Sequence, residues 1–170
     1  MKSLTAKFLI AIILINSGFI TAFAQNNKKP KKLYEVKIYL LKEIEETDQY
    51  DPENPLGLFA VKRQVDAATP LAGALKALVK GATKQEERRQ KLFISTFGIR
   101  FVSVNLTDGV VLARFTMPKT ASFSGDNGPF IFEEAVRKTA VQFKEVKKVI
   151  VCLDGQKNFG LEDNSPIQKC

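Results

Sequence analysis

The chain has 170 residues, 45% of them hydrophobic, and its 26 basic and 18 acidic residues give a formal net charge of +8. It contains no histidine and only two cysteines, which excludes the usual general base at neutral pH and a zinc site built from several cysteines or histidines. This length suits one modest globular domain with accessory segments.

The first 24 residues have the pattern of an export signal. A short basic region precedes an almost wholly apolar run at 8–15, and the small-x-small sequence AFA ends at Ala24. We therefore predict cleavage between Ala24 and Gln25, with a mature chain that is periplasmic or extracellular. The alternative is an uncleaved N-terminal anchor, for which the apolar run is short.

The excess positive charge is concentrated near the N-terminus. The stretch NNKKPKK carries Lys28, Lys29, Lys31 and Lys32, and two further lysines lie in the leader. Removing these six lysines from a net charge of +8 leaves +2 for the rest of the chain. We predict that residues 25–32 are a basic flexible linker that stays solvated or binds an anionic wall polymer. A nucleic-acid partner is not expected, because it would require clustered basic residues on the folded part.

Residues 33–41 alternate in polarity, which is typical of a half-buried strand. One set of side chains is apolar and is predicted to face the core: Tyr34, Val36, Ile38 and Leu40. The other set is predicted to face solvent and is a candidate interaction face: Glu35, Lys37 and Tyr39.

The next segment, residues 42–57, is rich in carboxylates and prolines and is predicted to be an acidic loop insertion. Asp48, Asp51 and Glu53 raise the possibility of a calcium site. A calcium-binding loop, however, places a carboxylate at every second position around a central glycine, and this segment does neither. A solvated loop is therefore the favoured interpretation.

A strand and two helices are predicted after this loop. Residues 59–65 alternate again, and the sequence TPLAGALKALVKG predicts a helix with Thr69 as N-cap and Gly81 as its end. Its buried stripe is predicted to contain Leu71, Leu75 and Leu78, with Ala74 allowing a close approach. Thr83 and Glu86 have the spacing of a capping box, which indicates a second short helix.

Two runs rich in β-forming residues, 99–106 and 110–116, flank the pair Asp108-Gly109. Because an Asp-Gly pair accepts the positive φ angles of a tight turn, these runs predict a β-hairpin. Asp108 is therefore interpreted as a turn residue.

The following loop contains Gly125 and Gly128, which could suggest a phosphate cradle, but no Gly-Lys-Ser/Thr sequence accompanies them. The favoured interpretation is a loop with Asn127 capping a helix over 129–144. The adjacent acidic residues Glu133 and Glu134 lie in its first turn, where the helix dipole favours negative charge.

The last predicted strand is the wholly apolar run at 149–153, which is expected to be central in its sheet. Two alternatives stay open for the cysteines. Cys152 and Cys170 could form a disulfide that ties the C-terminal tail to the last strand, as exported chains with an even number of cysteines often do. Alternatively, Cys152 is a small buried apolar residue and Cys170 is free.

These features in this order resemble the GerMN domain, the sporulation and spore germination module. The residues that carry the resemblance most specifically are Thr139, Gln142-Phe143, Val146, Val149 and Asp154-Gly155. It covers residues 33–158, with a basic linker at 25–32 before it and a polar tail at 159–170 after it. The chain departs from the family where Ala82 follows Gly81 and where Thr96-Phe97-Gly98 precedes the hairpin.

The resemblance implies an α/β (α+β) domain of ring-building-motif type, with two main helices packed on one face of a small mixed sheet. It also implies an exported protein-protein interaction or assembly module of the bacterial cell envelope, in some cases linked to sporulation or germination. Such a module has no catalytic residues, cofactor or metal, and its partner is an envelope protein or another copy of itself.

Two other functions stay open. The first is a cell-wall hydrolase that uses carboxylates such as Glu133 and Asp154, since two carboxylates suffice for glycoside hydrolysis. The second is a module that binds peptidoglycan or another wall polymer.

Overall fold

The order of elements along the chain is that of an α+β fold, as predicted. The structure is a computed structural model that describes residues 31–43, 51–155 and 170. Its elements are β1 (Leu33–Lys42), β2 (Leu58–Asp66), α1 (Pro70–Lys80), α2 (Lys84–Gln90), β3 (Leu92–Phe93), β4 (Thr96–Phe97), β5 (Arg100–Thr107), β6 (Val110–Thr116), β7 (Ser122–Phe123), α3 (Gly128–Ala140) and β8 (Lys148–Leu153). The predicted cleavage site at Ala24-Gln25, the linker lysines Lys28 and Lys29, Asp48 and the tail at 159–169 lie outside the described residues.

The described strands form three small sheets, whereas the sequence predicted one mixed sheet. Their strand orders are β2-β1-β3, β4-β7 and β5-β6-β8, and only the last is mixed, because β8 runs parallel to β6. The prediction that 149–153 forms a central strand is wrong for the described sheets, since β8 lies at the end of its sheet. It is apolar because Val149, Val151 and Leu153 face the core while Cys152, on the opposite face, is also fully buried.

The two long strands β1 and β2 form an antiparallel ribbon in which Val36 lies opposite Arg63 and Ile38 lies opposite Val61. Val36, Ile38 and Leu40 are almost completely buried, which confirms the predicted alternation. Tyr34 departs from it, because this side chain is 50% exposed at the open end of the ribbon.

Helix α1 packs its apolar stripe against this ribbon and against α3. Ala74, Leu75 and Leu78 are fully buried, whereas Leu71 is only partly buried. The closest approach is made by Gly73 and not by Ala74, because a Cβ atom added to Gly73 would lie 2.7 Å from the Cβ of Val65.

This contact predicts an unusual outcome for Gly73→Ala. In a helix interior, alanine is ordinarily more stable than glycine by up to about 1 kcal/mol. Here the added methyl group must push α1 away from β2, so we expect a net loss of about 1 kcal/mol in the free energy of unfolding, measured by urea denaturation. Ala72→Gly, at the neighbouring half-buried position in the same helix, is the control for the ordinary difference between alanine and glycine. A more stable Gly73→Ala protein would contradict the close packing.

Of the three predicted helix caps, one forms as predicted and two do not make their hydrogen bonds. At α2 the capping box is confirmed: the Glu86 amide donates to Thr83 Oγ1 over 3.3 Å, and the Thr83 amide donates to Glu86 Oε2 over 2.7 Å. Thr69 and Asn127 occupy the N-cap positions of α1 and α3, but neither side chain makes a capping hydrogen bond. Near α1, the carboxylate of Asp66 instead accepts the amide N–H of Ala68 over 3.0 Å.

The capping box is also joined to the ribbon. The Arg63 guanidinium donates to both carboxylate oxygens of Glu86, each over 2.7 Å, and to the Gly81 carbonyl over 3.3 Å. Only 19% of the Arg63 side chain and 14% of the Glu86 side chain are exposed. Hydrogen bonds from Arg63, together with those from Thr83, lower the pKa of Glu86 from 4.5 to about 2.

This shift predicts acid sensitivity. Because the pKa of Glu86 is lower in the folded state than in the unfolded chain, its stabilisation is complete above about pH 4.5 and is lost as the pH falls towards 2. We expect Glu86→Gln to lower the free energy of unfolding at pH 7 by roughly 1.5 kcal/mol. Urea titrations from pH 7 to pH 2 should show this difference shrinking with acid, whereas Glu87→Gln, on the exposed side of α2, should have little effect. A constant difference across this range would contradict the assigned ion pair.

The predicted hairpin is confirmed. Asp108 has φ 51° and Gly109 has φ 83°, and these two residues join β5 to β6. The Gly109 carbonyl also accepts the amide N–H groups of Lys147 and Lys148 over 2.7 and 3.1 Å. The turn therefore holds the start of β8 in register beside β6.

Helix α3 is shorter than predicted, because it ends at Ala140 and not at residue 144. Residues 141–145 form non-helical turns where the sequence predicted the end of the helix. In these turns, Gln142 and Phe143 make separate tertiary contacts. Its apolar face is buried: Phe132, Val136 and Ala140 are fully buried, and the Phe132 ring packs edge-on against Phe115 with centroids 5.1 Å apart. Within the described part of the chain, no helix combines the length and apolar character needed to cross a membrane.

Candidate interaction surface

The three side chains of the candidate interaction face lie together on the solvent side of the β1–β2 ribbon. Glu35, Lys37 and Tyr39 are paired in register with Gln64, Lys62 and Ala60 of β2. We call these six residues the outer face. All are exposed except Tyr39, which is half-buried. The sequence thus correctly placed the residues of this face, while their role in binding stays a prediction.

The outer face and its surroundings carry more positive than negative charge. The Lys62 ammonium pairs with the carboxylate of Glu35 over 2.9 Å. The Lys138 ammonium, which comes from α3, lies 5.7 Å from the centre of the Tyr39 ring, in the geometry of a cation–π contact. No described carboxylate lies within ion-pair distance of Lys37 or Lys138. These two cations are therefore available to a partner.

Gln142 holds the backbone of β1 at the edge of this face. Its Oε1 accepts the amide N–H of Lys37 over 2.8 Å, and its Nε2 donates to the Lys37 carbonyl over 2.7 Å. The same Nε2 donates to the Thr139 carbonyl over 2.5 Å. The side-chain amide therefore binds Lys37 in the way that the backbone of a neighbouring strand would. It does so at the edge of β1 that faces away from β2.

The C-terminal end of the linker is held at the open end of the ribbon. The Lys31 ammonium lies 3.2 Å from the carboxylate of Asp66. The Ala68 amide N–H, followed by the Lys31 ammonium, lowers the pKa of Asp66. Among the four linker lysines that the sequence singled out, Lys31 is thus engaged within the chain, and Lys32 is exposed.

The carboxylates considered for hydrolysis have other partners. Asp154 Oδ1 accepts the Thr116 hydroxyl over 2.6 Å and the Met117 amide N–H over 3.1 Å, which ties the end of β8 to the end of β6. Glu133 lies 3.5 Å from the Arg137 guanidinium, which also pairs with Glu134 over 3.1 Å. This arrangement assigns Asp154 to the scaffold and explains both glutamates as partners of one arginine. The prediction that the glutamates lie in the first turn of the helix is wrong, because α3 begins at Gly128 and has no acidic residue there.

The calcium and phosphate sites, which the sequence raised only as less favoured alternatives, find no support among the described residues. There, no group of three or more potential metal ligands comes together. Asp51 Oδ1 accepts the Glu53 amide N–H over 2.9 Å, as in a turn, and Asp48 lies outside the described part. Gly128 packs against a neighbour, because an added Cβ would lie 2.7 Å from the Cβ of Phe123.

The structure contains the Cys152–Cys170 disulfide, one of the two alternatives that the sequence left open. The two Cα atoms are 6.2 Å apart, and the Cys170 amide N–H donates to the Gly155 carbonyl over 2.9 Å. Cys152 is in register with Arg114, so it lies on the face of the β5-β6-β8 sheet opposite to the core residues Val151 and Leu153. Cys170 borders a depression of about 270 Å³ on this face, which is lined by Asn105, Thr107, Val110, Leu112 and Ile150.

Sequence reasoning missed two exposed aromatic residues. Phe97 and Phe130 are 59% and 52% exposed. Phe97 lies in a two-residue strand, where no alternation can be read, and Phe130 precedes the buried stripe of α3. Exposed aromatic side chains are frequent energetic centres of protein interfaces, so both are further candidate contacts.

Comparison with solved structures agrees with the predicted fold. The chain is similar to the tandem GerMN domains of the sporulation protein GerM from Bacillus subtilis, with 19% sequence identity and a TM-score of 0.51. The match covers 79% of this chain and 43% of that one, so the chain spans less than half of the tandem structure. At this identity, the similarity confirms a GerMN-like fold.

A more distant similarity links the chain to a Clostridium perfringens protein described as a lipoprotein. It has 12% identity and a TM-score of 0.38, and it covers 72% of this chain and 75% of that one. This similarity is too distant to support an inference. No protein-family model and no curated protein matches the chain.

Proposed function

We propose that this GerMN-like chain is an exported, non-enzymatic module that docks another protein of the bacterial cell envelope through its outer face. The observation that carries the proposal is the outer face itself. It is a two-stranded surface, held along the edge of β1 by Gln142. Its Lys37 is exposed and pairs with no described carboxylate, and its half-buried Tyr39 still presents part of its ring to solvent. Sporulation or germination is one process in which such a module would act.

The core gives this surface its rigidity. Val36, Ile38 and Leu40 anchor the inner side of β1 against α1 and α3, so that the alternate residues are presented in fixed positions. A preformed surface loses little conformational entropy when it binds, and this favours recognition of a folded partner.

The proposal assigns no bond-breaking step to the chain. Asp154 is held by two hydrogen bonds at the end of β8, and Glu133 shares Arg137 with Glu134. Each carboxylate thus has a structural explanation, and docking accounts for the exposed features that the scaffold does not use.

Export is part of the proposal. Signal cleavage between Ala24 and Gln25 would leave the basic linker on the mature chain, where Lys28, Lys29 and Lys32 could add weak attachment to an anionic wall polymer. Intact-mass measurement of the chain recovered outside the cytoplasm is expected to show the loss of residues 1–24. A full-length chain in the membrane fraction would support the anchored alternative.

The docking proposal is tested by capture from a solubilised envelope fraction. We expect Lys37→Glu and Tyr39→Ala to reduce the recovered partner at least fivefold while the melting temperature stays within a few degrees. Lys84→Glu, the same charge change on the exposed side of α2, is the matched control and should capture normally.

Two results would refute docking through the outer face. The first is normal capture by Lys37→Glu and Tyr39→Ala. The second is cleavage of peptidoglycan by the purified chain that Glu133→Gln abolishes, which would establish the hydrolase alternative.

A further inference from the structure

The hairpin strand β5 lies at the end of its sheet and has a free edge. It pairs with β6 on one side, and no described strand pairs with its other side. All eight of its residues are exposed or half-buried, and Val102 and Leu106 are 56% and 38% exposed. A strand edge of this kind presents unpaired backbone donors and acceptors to another chain.

The hydrogen bonds between β6 and β8 show which way the backbone groups of β6 point. The Gly109 carbonyl accepts the amide N–H of Lys148, and the Phe115 carbonyl accepts that of Asp154, each over 3.1 Å. The odd-numbered residues of β6 therefore direct their backbone groups towards β8. Since backbone groups alternate in direction along a strand, the even-numbered residues direct theirs towards β5.

This alternation identifies the free backbone groups of β5. Val104 lies opposite Ala113, and Leu106 lies opposite Val111. Both partners are odd-numbered and turn towards β8, so the N–H and C=O groups of Val104 and Leu106 point away from β6. No described residue hydrogen-bonds to these four groups. They are spaced as a neighbouring strand requires.

The free edge carries little of the protection that is usual at sheet edges. Soluble proteins commonly place lysine, proline or a β-bulge there. Residues 101–107 contain no charged residue, proline or glycine. A bulge separates Phe101 from Ser103, but 103–107 follow it in regular register. An uncharged, β-forming segment with an open edge pairs readily with another strand.

Two cations lie at one end of this edge, one on each face of the sheet. The Lys76 ammonium, from α1, lies 5.6 Å from the centre of the Phe101 ring, which packs against the core ring of Phe115. Arg100 is exposed, and as the preceding strand residue it points to the opposite face. No described carboxylate lies within ion-pair distance of Lys76 or Arg100.

We propose that the free edge of β5 binds an extended peptide segment of another protein as an added antiparallel strand, with two consecutive acidic residues at the C-terminal end of that segment. The backbone groups of Val104 and Leu106 would supply the hydrogen bonds. Because consecutive strand residues point to opposite faces, one acidic side chain would meet Arg100 and the other Lys76. This site is separate from the outer face and does not depend on docking there.

The bulge favours a peptide over a second copy of the chain. A bulge bends its strand and increases the local twist. A short extended peptide can follow this bend, whereas two rigid copies of the same bent strand match each other poorly along their length. Edge pairing between copies is therefore the competing occupant that the experiment must distinguish.

A synthetic peptide of sequence Val-Thr-Val-Thr-Glu-Glu, labelled with fluorescein at its N-terminus, tests the proposal. Its two valines would lie beside Val104 and Leu106 on the core side of the sheet. Fluorescence anisotropy with the mature chain at low salt should show saturable binding. N-methylation of both valines removes the donors that face β5 and should weaken binding at least tenfold. Replacing both glutamates with lysine should weaken it at least fivefold.

Variants of the protein test the same contacts from the other side. Lys76→Glu/Arg100→Glu should weaken binding at least fivefold, while Lys84→Glu/Arg88→Glu, the same charge change on α2, should bind normally. Leu106→Pro removes one outward N–H and should weaken binding at least tenfold. Leu106→Thr keeps this N–H and is its matched control, with the melting temperature of each variant as the check on folding.

Amide hydrogen exchange followed by NMR gives the readout that is specific for strand addition. The peptide should slow exchange of the Val104 and Leu106 amides, and should leave the Asn105 amide, which already faces β6, unchanged. Absence of peptide binding, or binding that survives N-methylation with no added protection at Val104 and Leu106, would overturn the proposal. Protection of these two amides that increases with protein concentration in the absence of peptide would assign the edge to a second copy and would also overturn it.

Discussion

Replacing Cys170 with serine is expected to lower the free energy of unfolding by about 3 kcal/mol under oxidising conditions. The bridge to Cys152 spans 18 residues, and in the chain-entropy description its loss gives the unfolded state this much additional conformational freedom. For a chain of this size, the melting temperature should fall by roughly 10 °C. Thermal and urea unfolding of the mature chain measure both quantities.

Reduction provides the control for this prediction. Dithiothreitol should destabilise the unmodified chain to the level of the double variant Cys152→Ser/Cys170→Ser, and should leave that variant unchanged. Thiol titration of the denatured, unreduced chain should find no free thiol. Two free thiols in the protein recovered from the envelope would contradict the disulfide.

Gln142→Ala is the second substitution with a large expected effect. It removes the three hydrogen bonds to Lys37 and Thr139, which at about 1 kcal/mol each corresponds to a loss of about 3 kcal/mol in the free energy of unfolding. It also uncovers the edge of β1, and uncovered edges promote strand pairing between chains. We therefore expect a lower urea midpoint together with faster aggregation on heating.

Two neighbouring substitutions test the cause. Gln142→Glu should be at least as destabilising as alanine, because a carboxylate cannot donate to the carbonyl groups of Lys37 and Thr139. Val141→Ala changes an exposed side chain next to it, and its stability should stay within about 0.5 kcal/mol of the original. A Gln142→Ala protein with unchanged stability would show that the bonds to β1 contribute little.

Features set by nearby residues could be predicted from the sequence. The alternation at 33–41 needs only a strand with one buried face, and Asp108-Gly109 needs only a turn with positive φ angles. The capping box of Thr83 and Glu86 joins residues three positions apart. In each case, the interaction that decides the structure lies within the segment itself.

Features set by distant residues could not be predicted. Gln142 belongs to the motif by which the chain resembles GerMN domains, but its partner Lys37 lies 105 residues away. The same limitation applies to Gly73, whose close contact with Val65 exists only after α1 packs on β2. The early end of α3 depends on such tertiary contacts too, because helical periodicity continues in the sequence beyond Ala140.

The sequence alone therefore predicted part of the candidate interaction face. Alternation alone placed Glu35, Lys37 and Tyr39 on one exposed face. The nearby Lys138 and the close pairing of Lys37 with Lys62 required the fold, since they come from α3 and from the register of β2.

Site-specific photocrosslinking in intact cells tests docking through the outer face most directly. Gln64 lies on this face and Gln85 lies on the exposed side of α2, so a photoreactive amino acid at each position gives a matched pair. The account predicts a discrete crosslinked species, with another copy of the chain or with an envelope protein, from position 64 and none from position 85. Crosslinking from position 85 alone, or equal crosslinking from both positions, would contradict it.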